Sequence, residues 1–416
     1  MEKNEAIPLK PEEIQALEEQ YLFATYKRSD LFCSHGSGVY VYDLAGKRYV
    51  DFLAGISVNS LGYNHPRIAR VLAEQGQRLV HSSNLFYHPY QGLLAKRLAA
   101  ISGMSKVFFT NSGTEAIEAA LKIARAYGHA RSSEKSLILT LKNSFHGRTF
   151  GALSITTQEK YQAPFRPLVP DVGIIEDLKP ESLGKAFSDR VCALVLEPIQ
   201  GEGGIVPLPQ EFVGSVRALC DHYDALLVAD EIQCGLGRTG KYFAFEQYGI
   251  KPDVVTLAKS LAAGYPLGAV LGNARVAECL KPGDHGTTFG GGPLACRLAL
   301  EVLDIIDDEK LLPRVAELGK YLVRGLQNLA PRHPSIGEIR GMGLMIGIEI
   351  GSIAKEAVNR LLKKGFIANA AHDTVLRLLP PFIISEKDID EFLAALDQVL
   401  GELESAWPAV KEAAND

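Results

Sequence analysis

Paired cysteines, long apolar stretches and a strong charge of either sign are all missing from this sequence. The six cysteines (Cys33, Cys192, Cys220, Cys234, Cys279 and Cys296) are scattered, with no Cys-x-x-Cys pair. In a chain of 416 residues that spacing argues against a disulfide framework or a zinc site and leaves free or buried thiols. No metal is expected. No apolar run is long enough to span a bilayer. The opening segment MEKNEAIPLKPEEIQALEEQ is polar and acidic, unlike a signal peptide or an Arg-rich transit peptide, so a cytoplasmic location is expected. A net charge of -5 provides no field for nucleic acid or an anionic membrane. Neither is an expected partner, and an anionic substrate must be held by a few local arginines.

What is present is ordinary globular composition, 47% hydrophobic and 22% charged, at a length beyond one usual core. Residues 10–25 read as an amphipathic helix. GVYVYDLAGKRYVDF (38–52) alternates like a hairpin with its turn near Ala45-Gly46. From about 65 to 305, short apolar runs alternate with helical patterns: VFF (107–109), SLIL (136–139), VCALVL (191–196), ALLVA (225–229), VVTLA (254–258) and AVLG (269–272). Buried strands separated by helices imply an α/β fold with a mostly parallel central sheet. After about 308 the pattern changes to helices around a strand-like GLMIGIEI (343–350), a smaller α+β part. The expected division is 1–65 joining the small domain, 66–308 as the large domain and 309–416 as the C-terminal small domain.

Ligands of open α/β sheets sit outside the carboxyl ends of the strands, so the residues following each run matter. After VFF, Ser112 and Glu115 have capping-box spacing around Gly113 and Thr114. That is either a plain helix cap or an anion site built from free amides and the helix dipole. After ALLVA comes Asp230, either an N-cap or a carboxylate for a protonated pyridine nitrogen. After VVTLA comes Lys259 in apolar surroundings, where burial would lower its pKa and make it a nucleophilic amine. Each signal is weak alone; the three in this order are much stronger. A rival pattern, Gly235-Leu-Gly-Arg-Thr-Gly240 with Asp253 beyond it, fits a dinucleotide fingerprint and a nicotinamide-dependent dehydrogenase. However, Asp230 to Gln233 separate its first glycine from the strand, and the segment that follows is short for a crossover helix.

Together these blocks resemble the class III aminotransferases, pyridoxal-phosphate enzymes of fold type I. The resemblance runs from GVYVYDLAGKRYVDF to RLLPP (377–381) through NSGTEA, FHGRTFGALS, EPIQGEGG, DEIQCGLGRTG, LAKSLAAGYPLGA and HGTTFGGGPLAC. It implies that Lys259 holds pyridoxal 5'-phosphate as a Schiff base and shuttles the proton, with Asp230 on the pyridine nitrogen. Gln233 would contact the phenolic oxygen, with Glu231 and Ile232 beside it; Gly113 and Thr114 would bind the phosphate, and Phe145 would stack on the ring. Thr288 would reach the phosphate in a neighbouring subunit, implying a homodimer with shared active sites.

SSNLFY (82–87) and NSLGYNHP look like the acetylornithine-specific members of that family. By the same resemblance Arg148 would fork onto the substrate α-carboxylate, Thr287 would lie beside it, and Arg377 would pair with Glu197 as a substrate-dependent switch or as a permanent ion pair. The implied reaction moves the δ-amino group of N2-acetylornithine to 2-oxoglutarate, giving glutamate, with succinyldiaminopimelate as a second donor. Ile56 stands where ornithine-specific members carry tyrosine and suits the acetylornithine and 4-aminobutyrate groups alike, so the alternatives are a 4-aminobutyrate or an ornithine aminotransferase of the same family. Ile117 and Gly292 depart from the usual TEAN and GGNP, and Tyr26 is a loosely placed candidate for the substrate border. A catalytically inactive protein of the same fold is the remaining alternative.

Overall fold

The structure, a computed structural model, describes residues 9–413, with side chains through 405. The expected helix of residues 10–25 is present as Pro11–Tyr21, which buries none of its side chains. Strands β1 (Cys33–Ser37), β2 (Tyr40–Asp43) and β3 (Arg48–Asp51) form an antiparallel meander, and Gly46 turns the β2–β3 hairpin at φ +81°.

The central sheet comprises β4 (Lys106–Thr110), β5 (Leu137–Leu141), β6 (Val172–Ile175), β7 (Val191–Leu196), β10 (Leu226–Asp230), β11 (Val254–Leu257) and β12 (Gly268–Gly272), in the order β4-β12-β11-β10-β7-β5-β6. A two-stranded ribbon of β8 (Ile199–Gln200) and β9 (Val206–Pro207) follows β7. Only β12 runs against its neighbours, so the mostly parallel sheet is as the alternating pattern implies. Because successive side chains point to opposite faces, Val228, Val254 and Val270 pack under helix Gly113–His129, whereas Ala229, Val255 and Leu271 face helix Pro293–Asp308. Both faces are buried, which explains the continuous apolar runs. Edge strand β6 escaped the sequence reading because VGII is short and carries a glycine.

Four C-terminal strands, β13 (Ile339–Met342), β14 (Met345–Glu349), β16 (Asn369–Ala371) and β17 (Val375–Leu378), form a separate antiparallel sheet. β15 (Phe366–Ile367) instead pairs in parallel with β3, tying the N-terminal meander to the C-terminal part. Helices Leu311–Leu329, Ala354–Lys363 and Glu386–Ala413 pack around these strands.

The glycine loop 235–240 has no helix behind it, only the short 3-10 turn Ala244–Tyr248. Gly240 adopts φ +82°, and an added Cβ would come within 2.8 Å of the Ala316 Cβ. Gly237, where a Cβ would lie 2.9 Å from Phe382 Cε2, and Gly240 therefore serve close packing against the C-terminal part. At the centre of that loop Arg238 is fully buried and donates from Nε to Ser57 Oγ (2.9 Å), from Nη2 to Ser60 Oγ (2.8 Å), and from Nη1 to the Leu344 and Pro380 carbonyls. Burial pulls its pKa down to about 9. Among the described residues no helix is long and apolar enough to cross a membrane.

Candidate active site

The parallel strands all end on one side of the sheet, and a cavity of about 420 Å³ opens there. Asp230, the last residue of β10, and Lys259, two residues past β11, stand on its wall with Gly113, Thr114, Phe145 and Arg148. The three weak signals thus meet in one place.

Helix Gly113–His129 starts at the cavity. Ser112 Oγ caps it by accepting from Glu115 N (3.3 Å), leaving the earlier amides for a ligand. Gly113 is required by space: a Cβ there would lie 2.9 Å from Ile232 Cδ1 and Cγ2. Lys259 is half-buried at φ +33°, a left-handed conformation costly for a side-chain-bearing residue and one that collects at functional sites. Burial lowers the pKa of its amine, and the Glu202 carboxylate partly opposes that shift. Ser260 holds this turn by donating to the Ser57 carbonyl (2.6 Å), and Ser57 Oγ donates to the Gln233 carbonyl (3.0 Å). The loop carrying Ile56 is thereby bolted to the loops carrying Lys259 and Gln233.

Asp230 is buried. Its Oδ1 accepts from Ile232 N (3.1 Å) and Thr256 Oγ1 (3.2 Å), and its Oδ2 pairs with His146 Nδ1 (2.7 Å). Burial disfavours the charged imidazole, but the hydrogen bond and charge of Asp230 outweigh it and raise the His146 pKa. Its other nitrogen, Nε2, is buried without a partner among the described residues. His146 went unnoticed in the sequence because a histidine between Phe145 and Arg148 carries no spacing signal.

Two expectations are corrected. Arg377 does not pair with Glu197. Fully buried on β17, it donates from Nη1 to Glu202 Oε1 and to Gln233 Oε1 (3.3 Å), and from Nε to Asn369 Oδ1 (3.0 Å). Burial would raise the Glu202 pKa, but the Arg377 charge overcomes it and holds the carboxyl below its ordinary range. Glu197 instead accepts from the Phe145 N (3.1 Å) and Gly201 N (3.0 Å) amides, and burial pushes its carboxyl up to about 7. Both glutamates occur in EPIQGEGG, and only the turn after β8 decides which one faces β17. The second correction concerns Glu231, which is absent from the cavity wall. Its carboxylate turns away to accept from Ala244 N and Phe245 N (both 2.8 Å) and from Cys234 Sγ.

Ile232 and Gln233 do line the cavity. Within one chain Thr287 and Thr288 do not. The Thr287 hydroxyl accepts from Asn111 Nδ2 (3.1 Å), and Thr288 is exposed beside exposed Phe289. Tyr26 is exposed in a separate groove with Phe23. Ile117 is fully buried in the sheet-facing side of its helix, and Gly292 is the N-cap of helix Pro293–Asp308, so neither departure from the usual motif reaches the cavity.

The class-III aminotransferase sequence model matches residues 23–400. This chain belongs to the class-III aminotransferases. The acetylornithine aminotransferase of Methanocaldococcus jannaschii is 44% identical over 388 residues, covering 93% of this chain and 98% of the relative. That of Caldanaerobacter subterraneus is 46% identical with the same coverage. Among solved structures, the ornithine aminotransferase of Toxoplasma gondii superposes with a TM-score of 0.92 at 34% identity, covering 95% of this chain and 96% of that one. The acetylornithine aminotransferase of Elizabethkingia anophelis gives 0.84 at 31%, covering 95% and 100%. The enzyme is a fold-type I transaminase dependent on pyridoxal phosphate. The residues present suit that cofactor: a free helix N-terminus for its phosphate, a buried carboxylate for its ring nitrogen, and a half-buried lysine of lowered pKa for its aldehyde.

Proposed function

We propose that the enzyme transfers the δ-amino group of N2-acetylornithine to 2-oxoglutarate, in the cytoplasm and as a homodimer. The observation that carries this reading is the convergence of Lys259, the Asp230–His146 pair and the Gly113–Thr114 helix start on one cavity, with Arg148 on its wall and the Arg377–Glu202 pair against the cavity residue Gln233. When bound, pyridoxal phosphate supplies an aldehyde that condenses with amines and a ring that accepts an electron pair. Lys259 takes and returns the proton at Nζ, for which a lowered pKa suits it. Asp230 would hold the ring nitrogen, and His146 fixes the Asp230 carboxylate in place. Gly113 and Thr114 would hold the phosphate, Phe145 and Ile232 would confine the ring, and Gln233 would contact the phenolic oxygen.

Arg148 binds the substrate α-carboxylate through its planar fork. Arg377, masked by Glu202, stays closed for the acetylated donor and opens for the second carboxylate of glutamate or 2-oxoglutarate. The dimer is supported by the exposed Leu85, Phe86, Tyr87 and Phe289, apolar surface that a second copy would cover. Thr288 would then complete the partner's phosphate site.

The test is a half-reaction screen that follows cofactor absorbance with acetylornithine, ornithine, 4-aminobutyrate and succinyldiaminopimelate. Fastest conversion with acetylornithine is expected. Faster conversion with 4-aminobutyrate would overturn the choice of donor, and a monomer in sedimentation would overturn the shared site.

A further inference from the structure

Arg148 has no carboxylate within ion-pair distance among the described residues, and it is exposed. An arginine in that position ordinarily samples many rotamers, and ordering it on binding costs side-chain entropy. Here its guanidinium lies over an aromatic face instead. The Arg148 Cζ is 3.8 Å from the centroid of the Tyr161 ring and 5.5 Å from that of Phe145. The two rings meet edge-on at 6.0 Å and an interplanar angle of 80°.

Tyr161 is itself held. It lies half-buried in the helical turn Glu159–Gln162, and its amide donates to the Gln158 carbonyl (2.9 Å). The neighbouring Gln162 is buried, and its Nε2 donates to the carbonyls of Leu153 (3.0 Å) and Ser154 (3.3 Å) at the end of helix Phe150–Ser154. The turn is therefore pinned to the same short helix that follows Arg148.

We infer that Tyr161 is a positioning residue for the substrate carboxylate, acting through Arg148; this rests on Arg148 being the carboxylate binder. Stacking engages the flat face of the guanidinium, whereas a carboxylate is bound at its N–H edge. The two contacts do not compete, so the ring can hold the fork ready without blocking it. An acidic partner would do the opposite, by occupying the edge. The aromatic face thus orders Arg148 in advance and leaves its donors free, which is how preorganisation raises affinity. Lys160 also approaches the Tyr161 ring, with Nζ at 5.0 Å, so the test must separate the two cations.

The experiment uses the holoenzyme and two readouts: calorimetric binding of glutarate, a dicarboxylate that cannot react, and the separate kcat and KM for 2-oxoglutarate. Tyr161→Leu keeps apolar bulk and removes the aromatic face. It is expected to weaken glutarate and raise the KM by about fivefold, the scale of one partly exposed cation–π contact, with kcat and the cofactor absorbance band unchanged. Tyr161→Phe, which keeps the ring, is expected to bind as the parent does, and so is Lys160→Met. Adding Tyr161→Leu to Arg148→Ala should cost nothing further. Unchanged glutarate binding in Tyr161→Leu, while Arg148→Ala binds weakly, would overturn the inference about Tyr161. Unchanged binding in Arg148→Ala would instead overturn the role of Arg148 on which it rests.

Discussion

Exchanging Glu202 for glutamine is the sharpest probe of how one site accepts two different substrates. Arg377 is fully buried, and of its acceptors Glu202, Gln233 and Asn369 only Glu202 is charged. Glu202→Gln keeps the shape and an acceptor oxygen but removes that charge. The glutamine still accepts from the charged guanidinium, so what is lost is the pairing of opposite charges, about 1 kcal/mol for a pair partly screened by water. That scale is appropriate because the Glu202 side chain is 25% exposed. It corresponds to about fivefold. Glutamate, whose second carboxylate needs Arg377 unmasked, should react at lower concentration by that factor. The acetylated donor, which would then face an undercompensated cation, should react more poorly by a similar one. Stopped-flow absorbance with each amino donor alone measures both. Glu197→Gln is the control: its carboxylate engages backbone amides and not Arg377, so it should leave the glutamate-to-acetylornithine ratio unchanged. An unaltered ratio in Glu202→Gln, or a shift confined to Glu197→Gln, would refute the assignment.

Three further outcomes are expected. Gly113→Ala should push Ile232 into the cavity, because the new Cβ would lie 2.9 Å from it; cofactor affinity measured by absorbance titration should fall by about tenfold or more, and Ile232→Val should restore part of it. His146→Asn should remove the imidazole partner of Asp230 (2.7 Å), lowering kcat by about tenfold and moving the pH profile, with substrate KM little changed. Glu231 should make stability pH-dependent. Burial raises its carboxyl from 4.5 to about 7. Its contribution is therefore fully present below about 4.5 and lost as pH rises through about 7, a loss of about 3 kcal/mol. In urea unfolding, the advantage of the parent enzyme over Glu231→Gln should shrink by about that amount between pH 4 and about 8; a constant gap would rule the assignment out.

The order of strands and helices was legible in the linear chain because a strand buried on both faces must be apolar throughout. VCALVL and VVTLA carry that mark without help from any neighbour. The residues just beyond each strand were legible for a related reason: a parallel sheet gathers the ends of its strands on one side, so Gly113, Asp230 and Lys259 had to approach one another. Motif resemblance added Phe145, Arg148 and Gln233, and the cavity wall contains them.

The tertiary structure decided which charges meet. Glu197 and Glu202 share one motif, and nothing in their local sequence says which will face Arg377, since that residue arrives from a different sheet far along the chain. His146 on Asp230 is likewise a contact between segments distant in sequence, as are Ser57 and Ser60 on Arg238. Spacing reveals periodic burial, which depends on local backbone geometry alone. Ion pairs and hydrogen bonds across loops depend on side-chain direction over a few ångströms, and only the packed fold sets that.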